Sequence, residues 1–135
     1  MSPVTRGAVL SKIAETVVTP EIFPEESFAS EHGYGGKCDL VCKTADGFVA
    51  DIKTKEFTDP DNVKGYDEHL MQLAAYRIGF NLPKARCANI FVSVNSPVIV
   101  KIIEWSEEDL QKGWKMFQSL LTYWKLKNNF GEINA

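Results

Sequence analysis

Two acidic residues and a lysine lie on neighbouring segments of the chain at a spacing that suits metal chemistry. Asp39 ends the run Gly35-Gly36-Lys37-Cys38-Asp39, and Asp51-Ile52-Lys53-Thr54 follows on the next segment. Two carboxylates held close together repel each other unless a cation lies between them. Carboxylate oxygens suit Mg²⁺ or Mn²⁺, and a lysine beside such an ion can hold a water or stabilise developing negative charge. The pattern therefore predicts a divalent-cation site with a lysine at its edge.

A β-hairpin is needed to bring these side chains together. Lys37–Thr44 and Phe48–Lys55 both alternate apolar and polar residues, and Ala45-Asp46-Gly47 between them carries the Asp-Gly sequence typical of a hairpin turn. The apolar, even-numbered residues of both strands share one face if the turn has three residues, with Gly47 left-handed. That turn predicts Asp39 opposite Lys53 and diagonal to Asp51. Taken alone, an Asp-x-Lys pattern is more typical of a solvated strand face.

The segment Val63–Phe80 predicts a helix that is apolar on most of its sides, with two polar exceptions on one face. Gln72 and Tyr76 are four residues apart, so both project from the same side of the helix. Polar groups on such a buried helix need a polar partner. The apolar positions of this helix are Leu70, Met71, Leu73, Ala74, Ala75 and Ile78.

The remaining segments of the sequence predict the other helices and strands. A helix over Thr5–Thr19 ends at Pro20, and a short strand covers Glu26–Glu31. Ala88–Val94 and Val98–Trp105 form two more strands. The last helix has Ser106 as its N-cap, with a stripe of Leu110, Trp114, Phe117, Leu121 and Trp124. The order α-β-β-β-α-β-β-α predicts an α/β fold, with a mixed central β-sheet flanked by helices, in a single domain over residues 1–135.

Taken together, the motifs resemble those of the PD-(D/E)XK nuclease superfamily, in its RecB-like and phage-exonuclease branch. That family carries Gly-Gly-x-x-Asp, then Asp-x-Lys-Thr on the next strand, then Gln-x-x-x-Tyr on the following helix. The resemblance covers residues 34 to 77 and implies a restriction-endonuclease-like core. The matched positions are Asp39 for the first acid, Asp51 for the second, Lys53 for the lysine, and Gln72 and Tyr76 for the helical motif.

The resemblance implies metal-dependent hydrolysis of DNA phosphodiester bonds. Asp39 and Asp51, with the backbone carbonyl of Ile52, would hold Mg²⁺ or Mn²⁺. Lys53 would orient and activate the attacking water, and the two helical residues would support the site and touch the substrate strand.

Members of that branch often have a further acid or histidine on the first helix. Glu15 is the best match for it, while Glu26 and Glu31 compete for the role, and an ordinary exposed position for Glu15 remains an equal alternative.

The cysteines set this chain apart from relatives that bind an iron–sulfur cluster through four cysteines. Only Cys38, Cys42 and Cys87 are available, so we expect no iron–sulfur cluster. Cys38 and Cys42 are too far apart along one strand for a disulfide. We expect all three to be small buried hydrophobic residues.

The composition limits how the protein can bind its partners. A chain of 135 residues with 44% hydrophobic residues and a net charge of −3 is too acidic to hold nucleic acid by bulk charge alone. Most of the 18 acidic residues lie between Glu15 and Glu68, so bound cations would neutralise charge where a phosphate approaches. DNA binding is therefore predicted to depend on the metal. We expect no membrane segment and no secretory signal, and hence a cytoplasmic location, in the host if the protein is viral.

The Gln-x-x-x-Tyr helix favours an exonuclease acting in phage-type DNA replication, recombination or repair. The alternatives are a structure-selective endonuclease that resolves junctions or flaps, and a catalytically silent nuclease-like DNA-binding module. DNA is the expected partner, alongside a second copy of the chain or a replication or recombination protein. Polarity and strand preference stay open at this stage.

Overall fold

Five strands form one mixed β-sheet in the computed structural model, which describes residues 22–94 and 98–130. The predicted helix over Thr5–Thr19, with Glu15, lies outside the described residues. Neighbouring strands follow chain order and pair antiparallel, except for the parallel third and fourth strands. The strands are β1 (Ile22–Ala29), β2 (Gly35–Cys42), β3 (Phe48–Lys55), β4 (Arg86–Ser93) and β5 (Val100–Trp105).

Two helices complete the described fold. Helix α1 (Asp67–Gly79) is the crossover between the parallel strands β3 and β4, and α2 (Glu107–Lys127) follows β5. The predicted order of three strands, a helix, two strands and a helix is confirmed over the described residues. Helix α1 begins later than predicted, because a single 3₁₀ turn over Pro60–Asn62 and an extended stretch precede it. Neither helix of these ranges is both long and apolar enough to cross a membrane.

The β2–β3 hairpin differs from its prediction in register. Leu40 pairs with Ala50 and Cys42 with Phe48, so the connection runs from Lys43 to Gly47 and has five residues where three were predicted. Gly47 has the expected positive φ of 94°, but Ala45 also has a positive φ, of 55°. The two extra residues shift the pairing by two, which by itself keeps the predicted alternation of faces in the paired residues Leu40–Cys42 and Phe48–Ala50.

This register changes which residue lies opposite Asp39. Extending the observed register by one residue places Asp39 opposite Asp51, so the predicted pairing of Asp39 with Lys53 is wrong.

The sheet has an apolar cluster on each face. One cluster joins even-numbered residues of the central strands: Leu40, Cys42, Phe48, Ala50, Ala88, Ile90 and Val92. The other joins Val41, Val49 and Cys87 to the helices through Leu70, Leu73, Ala74 and Leu110. Cys38 belongs to this helix-side cluster, which corrects its predicted place among the other even positions. The alternation breaks there because the β2–β3 pairing ends at Leu40. All three cysteines are free and buried, as predicted.

The two helices pack against each other above the sheet. Ser106 caps α2 as predicted, since its side chain accepts a hydrogen bond from the Asp109 amide at 3.1 Å. Leu110 is buried, but Trp124 is 49% exposed, so the predicted stripe holds only for the first half of α2. The physical reason is length: at about 1.5 Å per residue, α2 extends far beyond the shorter α1 on which it packs.

Candidate active site

Asp39 and Asp51 come together where β2 and β3 separate. The Ile52 amide donates a hydrogen bond of 2.7 Å to Asp39 Oδ2, so the Asp39 side chain takes over where the backbone ladder ends. Asp51 is only 5% exposed. Burial and a hydrogen bond with Asp39 raise the pKa of Asp51 to about 6, while Lys53 lowers it. The two carboxyl groups therefore lie close enough that Asp39 disfavours the ionised form of Asp51.

Lys53 lies at the edge of this pair. Its Nζ is 2.8 Å from Asp51 Oδ2, and its side chain is 37% exposed. Among the described residues, Oδ2 makes no hydrogen bond of ordinary geometry in addition to this ion contact. The ammonium group thus faces the buried carboxylate on one side and solvent on the other.

The polar pair of α1 is formed as predicted and lies near the carboxylates. Gln72 Nε2 donates a hydrogen bond of 2.9 Å to the Tyr76 hydroxyl, so each supplies the polar partner that the other needs. Burial, and then the charge of Asp51, raise the pKa of Tyr76 to about 12, so the hydroxyl stays protonated across the neutral range. This places the predicted helical motif on the same side of the sheet as the acidic pair.

The Gly-Gly sequence has a steric explanation at this point. A Cβ atom on Gly36 would lie 2.8 Å from Tyr76 Cε1 and 2.9 Å from Phe28 Cε1. Such distances are too short for a side chain to fit without moving the tyrosine. Glycine therefore lets β2 pass beneath the Tyr76 ring.

A cleft of about 340 Å³ opens between the start of β2 and the two helices, lined by Gln72, Tyr76 and Phe117 among others. The Tyr34 hydroxyl donates a hydrogen bond of 2.7 Å to the Ala75 carbonyl, and the Tyr34 and Phe117 ring centroids lie 4.9 Å apart. The cleft is thus mostly apolar, with aromatic rings and the polar Gln72–Tyr76 pair in its lining. Aromatic side chains in such a cleft can stack with a base.

The further acid is not found among the described residues. Glu15 lies outside them, Glu26 faces Lys43 at 3.5 Å, and Glu31 is exposed in the β1–β2 turn. Over residues 22–94 and 98–130, no group of three or more His, Cys, Asp or Glu side chains could hold a metal ion. Of the acids that the sequence predicts for a metal site, the described residues bring together Asp39 and Asp51.

One buried polar residue beside this pair was not singled out in the sequence. Asn89 is fully buried on β4 and is the register partner of Asp51 on β3. Its Oδ1 accepts a hydrogen bond of 2.8 Å from Trp105 Nε1. In the sequence, Asn89 is visible only as a single amide residue inside the apolar run Ala88–Val94. Spacing alone does not connect it to Asp51.

No family model and no curated protein matches this chain. A solved structure described as the crystal structure of SSO0001 is similar to it, with 17% identity and a TM-score of 0.42. The similarity covers 84% of this chain and 58% of that chain, so this chain spans less than two thirds of its length. Function is therefore inferred from the geometry of the site itself.

Proposed function

We propose that the protein is a Mg²⁺- or Mn²⁺-dependent deoxyribonuclease that hydrolyses phosphodiester bonds in DNA. Its role would be that of an exonuclease in phage-type replication, recombination or repair, in the cytoplasm. The observation that carries the proposal is the contact between the Asp39 and Asp51 carboxyl groups, with Asp39 Oδ2 2.7 Å from the Ile52 amide nitrogen and Lys53 Nζ 2.8 Å from Asp51 Oδ2.

The two carboxylates fit a divalent cation. Mg²⁺ is commonly held by one or two carboxylates while it keeps several waters, so a pair of acids suffices. Asp51 is buried with a raised pKa, and a cation would relieve the repulsion between it and Asp39. Asp39, Asp51 and the Ile52 carbonyl would hold the ion, with Glu15 as the further acid that the resemblance implies. When bound, the ion supplies Lewis acidity and a water of lowered pKa.

Lys53 lies close to Asp51 and has enough N–H hydrogens to take part in the proposed reaction. Its ammonium group has three hydrogens, and the contact with Asp51 uses one of them. The other two can be donated to the attacking water and to a phosphate oxygen on the exposed side. The positive charge there stabilises the negative charge that develops as the phosphorus is attacked.

Tyr76 is suited to binding the substrate strand. Its hydroxyl oxygen accepts the hydrogen bond from Gln72, which leaves the hydroxyl hydrogen to be donated to another acceptor. Because the pKa of Tyr76 is raised to about 12, this donor persists at every pH at which the protein would work. A phosphate or sugar oxygen of DNA in the cleft is the natural acceptor.

The proposal is tested with end-labelled single-stranded and double-stranded DNA in Mg²⁺, in Mn²⁺ and in EDTA. We expect products in either metal and none in EDTA, and a large loss of product for Lys53→Ala. Lys84→Ala is the matched control, because Lys84 is an exposed lysine between α1 and β4. Equal product from wild type and Lys53→Ala would overturn the proposed role of the site.

A second substrate separates the alternative activities. An exonuclease degrades linear DNA and leaves a covalently closed circle intact, whereas a structure-selective endonuclease cuts junctions or flaps without a free end. A silent DNA-binding module would retain DNA and yield no product from any substrate in either metal.

A further inference from the structure

Asp51 and Asn89 lie side by side across the parallel strands β3 and β4. They are register partners, and neighbouring strands are about 4.8 Å apart. Register partners on adjacent strands point to the same face of the sheet. Residues on either side of them, Val49 and Cys87, both pack in the helix-side cluster. Asn89 is therefore the next polar side chain after Asp51 on the site's own face.

The Asn89 amide has a fixed orientation. An indole N–H is only a donor, so the atom 2.8 Å from Trp105 Nε1 has to be the amide oxygen. Oδ1 therefore faces Trp105 and Nδ2 lies on the other side of the amide. The two atoms cannot be interchanged. Among the described residues, Nδ2 is buried and has no hydrogen-bond partner.

Two of the buried polar atoms that make no hydrogen bond of ordinary geometry belong to adjacent residues, Asn89 Nδ2 and Asp51 Oδ2. Asp51 Oδ2 has the Lys53 ammonium group 2.8 Å away, whereas Asn89 Nδ2 has no partner among the described residues. A buried donor without a partner is destabilising, so a purely structural role for Asn89 leaves Nδ2 unexplained. A water between Nδ2 and Asp51 accounts for it.

We propose that Asn89 is a positioning residue for the divalent-cation site, an inference that rests on the proposed function. Its Nδ2 donates a hydrogen bond to a water that is bound to the Asp51 carboxylate. Trp105 holds the amide in the donating orientation. Asp51 is thereby held in one rotamer and presents its oxygens beside those of Asp39. Hydrogen bonds of this kind orient metal ligands in many proteins.

The test measures Mn²⁺ affinity of the whole chain by calorimetry. Loss of a hydrogen bond that orients a ligand typically weakens metal binding about 10- to 100-fold, and we expect this for Asn89→Leu. Trp105→Phe keeps an aromatic ring but removes the N–H that fixes the amide, so we expect a smaller loss in the same direction. Ser93→Ala is the matched control, because Ser93 is also buried on β4 and donates to the Phe57 carbonyl. We expect Ser93→Ala to keep wild-type affinity.

A second measurement does not depend on the folding of Asn89→Leu. The side-chain amide resonances of Asn89 in wild-type protein are followed during Mg²⁺ addition, with Asp51→Asn as the comparison. We expect a shift in wild type and none in Asp51→Asn. The inference would be overturned if Asn89→Leu and Trp105→Phe both bound Mn²⁺ with wild-type affinity. It would also be overturned if the Asn89 resonances of wild type did not shift when Mg²⁺ is added.

The failure of this inference is distinct from failure of the proposed function. If wild type binds Mn²⁺ and cleaves DNA while both variants bind Mn²⁺ equally well, the inference alone is wrong. If the variants lose Mn²⁺ affinity but wild type cleaves no DNA, the nuclease proposal is wrong and the role of Asn89 stands.

Discussion

Lys53 Nζ lies 2.8 Å from Asp51 Oδ2, yet this contact does not bring the pKa of Asp51 down to its ordinary value. Burial is the largest influence on that carboxyl group, and the neighbouring Asp39 raises its pKa further. A single partly exposed ammonium group therefore leaves the acidic pair short of positive charge. Under the proposed function a divalent cation would supply that charge, and measurements of stability with and without metal would show it.

The first prediction concerns stability without metal. The pKa of Asp51 is about 6 in the folded protein, against 3.8 for an ordinary aspartate, so folding resists its ionisation. The Asp51 carboxyl group therefore makes a contribution to stability that is present below about pH 4 and is lost as pH rises above 6, by roughly 2 to 3 kcal/mol. Asp51→Asn removes this penalty. In EDTA, we expect the variant to gain stability relative to wild type between pH 4 and pH 8, as measured by urea unfolding. A difference that does not change with pH would contradict this account of Asp51.

The second prediction concerns metal and DNA together. A cation that binds only the folded protein stabilises it by about 1.4 kcal/mol at ten times its Kd. We expect Mg²⁺ to raise the melting temperature of wild type and to leave that of Asp51→Asn nearly unchanged. DNA affinity, measured by fluorescence anisotropy with Ca²⁺ or Mg²⁺, should fall strongly in EDTA because the chain has a net charge of −3. Tight DNA binding in EDTA would show that bulk charge or another surface holds the nucleic acid.

The third prediction concerns the tyrosine of α1. Tyr76→Phe removes the hydroxyl but keeps the ring, whose centroid lies 5.7 Å from that of Phe28. We expect the fold to persist and kcat/KM on linear DNA to fall about 10- to 100-fold, the range for one hydrogen bond to a charged group. Tyr123→Phe is the control, since Tyr123 is 64% exposed on α2. Equal losses for the two variants would assign no special role to the Tyr76 hydroxyl.

The fourth prediction concerns the glycine beneath that ring. Gly36→Ala places a methyl group 2.8 Å from Tyr76 Cε1, so the ring has to move. Overpacking of this kind costs about 1 to 3 kcal/mol. We expect a lower melting temperature, together with reduced cleavage. Gly36→Ala should cost less stability in a Tyr76→Ala background than in wild type, and cleavage should not return. An equal cost in both backgrounds would show that the ring is not the obstacle.

Local patterns were sufficient to predict most of the architecture that surrounds the site. Alternation of apolar residues predicted β3 with its observed bounds, Phe48–Lys55, and Ser106 was correctly predicted as a helix cap. The spacing of Gln72 and Tyr76 predicted their common face, because helical neighbours four residues apart are set by geometry alone.

Features that depend on distant contacts, or on a backbone conformation that the residue type does not signal, were not predicted correctly. The hairpin register was missed because Ala45 adopts a positive φ, which alanine does not signal in a sequence. The neighbour relation between Asp51 and Asn89 depends on a parallel pairing that the α1 crossover sets, and no local pattern encodes it. The exposure of Trp124 reflects the difference in length between two helices, which spacing within one helix does not reveal.

The most direct test of the account is cleavage of end-labelled linear DNA by Asp51→Asn in saturating Mg²⁺, beside wild type and Lys84→Ala. Asparagine has nearly the shape of aspartate but lacks the charge that is proposed to hold the cation. We expect wild type and Lys84→Ala to give equal product, and Asp51→Asn to give none above the EDTA background. Cleavage by Asp51→Asn at the wild-type rate would contradict the assignment of this acidic pair as the centre of the nuclease site.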